Sequence, residues 1–170
     1  MTLITKEMLQ IDIDTICDET LDKNAKMVAV VFDKHEIISV GVSTPALSVR
    51  YKNRRLSVPA EHCEINALKQ VVRELECKKI KRPKVNLLVL RRNSAGVYHS
   101  SKPCKHCTEF IKSSMVSNFI HLKKIIYYDE DIGSFVSEKL ENLNTEHVSI
   151  GYRLREMNKL SQRDRSRYYR

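Results

Sequence analysis

Two short apolar runs, MVAVVF at 27–32 and VNLLVL at 85–90, constrain this chain more than any other feature. Each has the length of a strand, and neither approaches the ~20 residues that a membrane helix needs. Stretches of helical periodicity alternate with them. Met8, Leu9, Ile13 and Ile16 recur at spacings of three and four and mark a helix over residues 5–21. Met27–Phe32 and Ile37–Ser43, joined by DKHE, have the spacing of an antiparallel hairpin. Residues 44–59, with Pro45 and Pro59, read as a loop. Ile65, Leu68, Val72 and Leu75 stripe a helix from about Ala60 to Cys77, and Pro83 bars its continuation. Strand Val85–Arg91, a turn at NSAG (93–96), a helix from Cys104 to about Val116, strand Lys123–Tyr128 and a helix from Ser134 to Leu143 complete the order. Alternation of this kind predicts an α/β layer structure in which helices cover a mixed sheet.

A chain of 170 residues with 42% hydrophobic and 30% charged residues suits one domain with a full core. We expect that domain over residues 1–148, followed by a basic tail at 149–170. The first residues lack a basic start followed by an apolar stretch, so no secretory signal is expected. Five cysteines, an odd count, then point to free or metal-bound thiols in a reducing compartment, cytoplasmic or nuclear. No membrane partner is expected.

The net charge of +9 is unevenly placed. Seven Lys/Arg against two Asp/Glu give residues 151–170 a charge of +5, leaving +4 for the rest. RYKNRR (50–55) and KKIKRPK (78–84) are two further basic clusters. Such clusters attract polyanions through phosphate contacts and counterion release, or simply keep a surface solvated.

The chemistry concentrates in EHCEINAL (61–68) and SKPCKHC (101–107). Cys104 and Cys107 lie three apart at an expected helix start, so both sulfurs belong to one first turn. Pro103 suits the opening of that turn because it has no N–H to satisfy there. His62 and Glu64 lie at the start of the preceding helix. At helix N-termini the macrodipole favours negative charge, which lowers a cysteine pKa, and zinc binds the thiolate. Three protein ligands, His62, Cys104 and Cys107, would leave a fourth tetrahedral position open, the arrangement of catalytic zinc. Glu64, near the metal but not on it, would be free to shuttle a proton.

H-x-E followed by P-C-x-x-C resembles the signature of the cytidine/deoxycytidylate deaminase superfamily of zinc enzymes. The resemblance covers roughly residues 5 to 143 and implies a three-layer α-β-α fold. It implies zinc ligation by His62, Cys104 and Cys107 and catalysis by Glu64. The reaction it implies is hydrolytic removal of an amine from a cytosine-type base, cytosine being favoured over adenine by the resemblance alone. Ala60 to Glu64 and the segment before Pro103, including the Lys102 carbonyl, would line the base pocket. Assembly into dimers or larger rings is common in similar proteins.

The chain departs from many relatives in two places. About forty residues separate Glu64 from Cys104, the extra length falling in RRNSAGVYHSS, a hairpin-like excursion. GVSTP offers Ser43 where many relatives have an asparagine, and Asn53 is a substitute to consider. These departures leave the substrate open between a free nucleoside or nucleotide and single-stranded nucleic acid. RYKNRR, with Tyr51 inside it, precedes His62 closely and reads as the rim of the pocket. KKIKRPK follows the far end of the helix that starts near His62, fifteen residues or ~23 Å away.

Other readings compete. A redox C-x-x-C belongs after an early strand, which these cysteines are not. A closed structural zinc would recruit Cys63, His99 or His106 as a fourth ligand but leaves Glu64 unexplained. A catalytically silent zinc domain, binding nucleic acid or a protein partner through its basic tail, is the alternative from another class.

Overall fold

The computed structural model describes residues 2–4, 12–20, 27–44, 47–51, 54–58, 61–78 and 82–149. Eight strands and four helices occur among them. The strands are β1 (Thr2–Ile4), β2 (Met27–Asp33), β3 (Glu36–Val42), β4 (Leu47–Tyr51), β5 (Arg54–Val58), β6 (Lys84–Arg91), β7 (His121–Asp129) and β8 (Ser134–Glu138). The helices are α1 (Ile13–Thr20), α2 (Cys63–Lys78), α3 (Lys105–Lys112) and α4 (Ser114–Ser117).

Six strands form one mixed sheet in the order β1-β8-β7-β6-β2-β3, in which β6 and β7 run parallel and the other neighbours antiparallel. The central strands are apolar at successive positions because both faces of the sheet are covered. Ala29, Val31, Val85, Leu87 and Val89 pack with Cys63, Ala67, Leu68, Val71 and Val72 of α2 and with Ile111 and Val116 of α3 and α4. Their sequence neighbours Val28, Val30, Phe32, Leu88 and Leu90 face the other way and pack with Ile13, Ile16 and Cys17 of α1. The result is the three-layer α-β-α arrangement expected from the sequence. Among the described residues no helix is long and apolar enough to cross a membrane.

The hairpin of β2 and β3, the helix after His62 and strands β6 and β7 lie where periodicity placed them. Of the helix expected over 5–21, the described part is α1, capped by Asp12, whose Oδ1 accepts the Thr15 N–H at 3.0 Å; residues 5–11 lie outside the described residues. Three expectations are corrected. Ser134–Leu143 contains no helix. Asp129 accepts the Asp131 and Ile132 N–H groups, Gly133 takes φ 67°, and the chain turns back antiparallel along β7 as β8. Phe135 and Val136 then fall on opposite faces and enter the two cores, while β1 pairs with the outer edge. Residues 44–59 are not simply a loop, for β4 and β5 form an antiparallel two-stranded sheet. The helix after Cys104 is broken at Ser113, where φ −67° and ψ 158° are extended, so α3 and α4 are separate.

Candidate metal centre and active site

The start of α2 is held by the edge of the sheet. Asn66 Nδ2 donates to the Val42 carbonyl at 3.1 Å, and Ser39 Oγ donates to the Ala67 carbonyl at 3.1 Å. Gly41 permits this approach. A Cβ there would meet the Ala67 N at 2.4 Å and the Cys63 O at 2.5 Å, so the first turn of α2 lies directly on the strand. Thr44 and Glu61 close a two-way backbone bridge at 2.9 and 3.2 Å, fixing the residue before His62. His62 itself caps the helix, its carbonyl accepting the Asn66 N–H at 3.0 Å.

The cysteine side is fixed by the sheet in another way. The parallel β6–β7 ladder ends at Val89 and Tyr127. Beyond that pair Ser101, 1% exposed, enters between the strands. Its Oγ donates to the Val89 carbonyl and accepts the Tyr128 N–H, both at 2.8 Å, and its N–H donates to the Tyr128 carbonyl at 3.0 Å. The excursion before it is a small bridged loop in which Arg92 pairs with Tyr98 and the His99 N–H returns to the Arg91 carbonyl. Glu130 anchors its end through His99 Nδ1 and the Ser100 N–H, both at 3.2 Å. Two residues after Pro103, the Lys105 N–H donates to the His147 carbonyl at 2.8 Å.

These two supports bring His62, Cys104 and Cys107 together. His62 Nδ1 lies 3.4 Å from Cys104 Sγ and 3.1 Å from Cys107 Sγ, and the three donor atoms all lie within 4.8 Å of one another. Zinc–nitrogen bonds near 2.0 Å and zinc–sulfur bonds near 2.3 Å at tetrahedral angles require about 3.5 Å between such donors. The donor set and its spacing therefore fit zinc. Hydrogen bonding from the Cys107 thiol, ahead of that from His62, pulls the Cys104 pKa down to about 3, while the proton left on Cys107 is held tightly.

Glu64 is 1% exposed, and burial raises its carboxyl above the ordinary range. Its own backbone N–H, the Cys63 thiol and His62 pull the other way. Cys63 Sγ donates to Glu64 Oε2 at 3.2 Å while its own thiol, fully buried in the core, is raised well above its usual pKa, chiefly by burial. Cys63 is thus packed against the sheet and also touches the carboxylate. Of the other fourth-ligand candidates, His99 is engaged by Asn93 and Glu130, and the His106 ring centroid lies 6.2 Å from that of His62. Among the described residues no further His, Cys, Asp or Glu joins the three donors.

Lys102 reaches Glu138 at 3.8 Å and lies over the Tyr127 ring at 5.3 Å. Ser43 directly follows β3, and its hydroxyl opposes the burial-driven rise of the Cys63 thiol pKa. Ala60 and Asn53 lie outside the described residues. Sequence reasoning missed Gly41 and Ser101; the glycine ahead of the SxP stretch and the serine two before Pro103 carry no distinctive local signal.

No curated protein matches the chain at a significant level. The family model for the cytidine and deoxycytidylate deaminase zinc-binding region matches residues 5–123, a span containing His62, Glu64, Cys104 and Cys107. With most of its length matched and the three donors positioned for a metal ion, the chain belongs to the cytidine and deoxycytidylate deaminase zinc-binding family.

Proposed function

We propose that this protein is a zinc-dependent hydrolytic deaminase acting on a cytosine-type base, carried by a free nucleoside or nucleotide or by single-stranded nucleic acid. The observation that carries the reading is a buried carboxyl group, Glu64, beside three convergent donors that no fourth His, Cys, Asp or Glu joins among the described residues. His62, Cys104 and Cys107 would hold the ion. Zinc, when bound, supplies a Lewis acid that makes water nucleophilic near neutral pH.

Glu64 does the proton work. Its carboxyl, which burial holds above the ordinary carboxylate range, can accept a proton from the attacking water and release it again. The water oxygen bonds to the ring carbon bearing the amine, the carbon–nitrogen bond breaks, and ammonia leaves with the proton that Glu64 carried. Cys63 keeps one carboxylate oxygen fixed while this happens. The Ser101 anchor holds the segment before Pro103 as a wall that excludes water from the base.

Two measurements on the full chain test this. Zinc content should be stoichiometric in the wild type and lost in Cys104→Ser. Deamination of cytidine, deoxycytidylate, or single-stranded DNA or RNA should fall ~10²–10⁴-fold in Glu64→Ala, the range for loss of a general acid–base group, with zinc retained. Full zinc occupancy without deamination of any of these substrates would replace the enzyme by a silent zinc domain. Zinc retained in Cys104→Ser would remove the ligand assignment.

A further inference from the structure

Helix α3 carries both sulfurs of the metal centre at its start. Cys104 is its N-cap, with φ −70° and ψ 167°, and Cys107 lies in its first turn. An N-cap is ordinarily Ser, Thr, Asp or Asn, whose side-chain oxygen accepts one of the first N–H groups, which have no partner within the helix. A cysteine given over to a metal ion does not fill that role. An acceptor comes instead from far along the chain, where the His147 carbonyl takes the Lys105 N–H at 2.8 Å.

The segment that delivers this carbonyl is fastened along its length. Leu143 is fully buried, in the core cluster that also holds Ile111 of α3. Its carbonyl accepts Lys112 Nζ at 2.7 Å, and its N–H returns to the Leu140 carbonyl at 3.3 Å. Thr145 Oγ1 accepts the His147 N–H at 3.2 Å. Lys112 and Lys105 are the last and first residues of α3. The chain leaving β8 therefore runs back along the helix from its end to its start, where the sulfurs lie. Cys104 is thus tied on both flanks, by Ser101 before it and by His147 through the residue directly after it.

We infer that residues 143–147 are a strap that positions the metal-bearing turn, so that docking of this segment and affinity for the ion are coupled. Zinc needs its donors at one spacing. A first turn that frays must be reordered before both sulfurs meet the ion, and holding the Lys105 N–H removes part of that cost. The coupling is reciprocal by linkage: whatever the strap adds to zinc affinity, zinc adds to the docking of the strap. Loss of one helix cap corresponds to about a fivefold change in an equilibrium constant. The strap rests on the ligand assignment within the proposed function and does not require turnover.

The Lys105 N–H can be removed without touching a sulfur. Lys105 is the first helical residue, where proline is favoured, and Cys104 already has the extended backbone that a following proline requires. Zinc affinity is measured on the full chain by competition with a chelator in the wild type, Lys105→Ala, Lys105→Pro and Lys112→Met. Lys105→Ala keeps the N–H and should match the wild type. Lys105→Pro should bind zinc about fivefold more weakly, and Lys112→Met should shift affinity in the same direction. In the wild type, zinc loading should slow amide exchange across residues 143–149 by a like factor, and Lys105→Pro should abolish that slowing. Unchanged zinc affinity in Lys105→Pro would overturn the coupling even if the metal-free protein melted earlier, because a merely structural cap alters stability alone. Strap exchange that ignores zinc would overturn it too, as would an equal loss of affinity in Lys105→Ala, which would assign the effect to the lysine side chain. A wild type that takes up no zinc would instead fail at the ligand assignment, and the strap would fall with it.

Discussion

Cys63 stands between a metal-ligand candidate and the proposed proton carrier, yet points into the core. Its thiol donates to Glu64 Oε2, and removing a donor from a buried charged-group hydrogen bond costs about 1–3 kcal/mol. Cys63→Ala should therefore lower kcat with little change in KM or zinc content, and Cys63→Ser, which keeps a donor, should recover part of the loss; steady-state kinetics with zinc analysis checks this. Glu130 titrates in a different setting. The Ser100 N–H, and then His99, hold its carboxyl below the ordinary range. A depressed carboxyl pKa stabilises the fold above its unfolded value, and that stabilisation is lost as pH falls through the folded value. Urea midpoints measured from about pH 6 to pH 3 should accordingly fall less in Glu130→Gln than in the wild type. The three donors His62, Cys104 and Cys107, which the structure brings together, were legible because zinc chemistry fixes the type and spacing of its ligands. Ser101 and Gly41 were not, because each acts through a partner distant in sequence.

The same division holds for elements. α2, β2 and β6 declare themselves by period and length, each long enough for its burial pattern to repeat. β8 does not. Its five residues, followed by Lys139 and Leu140, suit a helix locally, and pairing with β7 on one side and β1 on the other decides otherwise. β4 and β5 alternate apolar and polar residues correctly but lie between prolines and far from an apolar core sequence. β1, at three residues, is too short to carry a pattern. How tightly elements meet can also be tested. Gly41→Ala forces a methyl group into the backbone of Cys63 and Ala67, so α2 must move away from β3. We expect a loss of about 1–3 kcal/mol in stability, as for other overpacked sites, and weaker zinc binding, read from thermal melts and competition with a chelator.

Across the whole molecule, the metal centre lies outside the carboxyl end of β6, where the helix from His62 and the segment carrying the cysteines both begin. Residues about forty positions apart meet there because β6 carries the chain back across the sheet between α2 and α3. The three-layer order was legible in the alternation of strand and helix signals, whereas the register that builds the cysteine side was not. Ser101 has a consequence for how this assembly breathes. It takes up hydrogen bonds at the point where two parallel strands part, so the approach to Cys104 is stitched into the ladder and does not hang from it as a free connection. Amide protons of Ser101 and Tyr128 should therefore exchange with deuterium on the slow schedule of the central strands, not with the exposed turn at residues 94–96. Fast exchange at both amides would mean that the cysteine side unzips independently of the core.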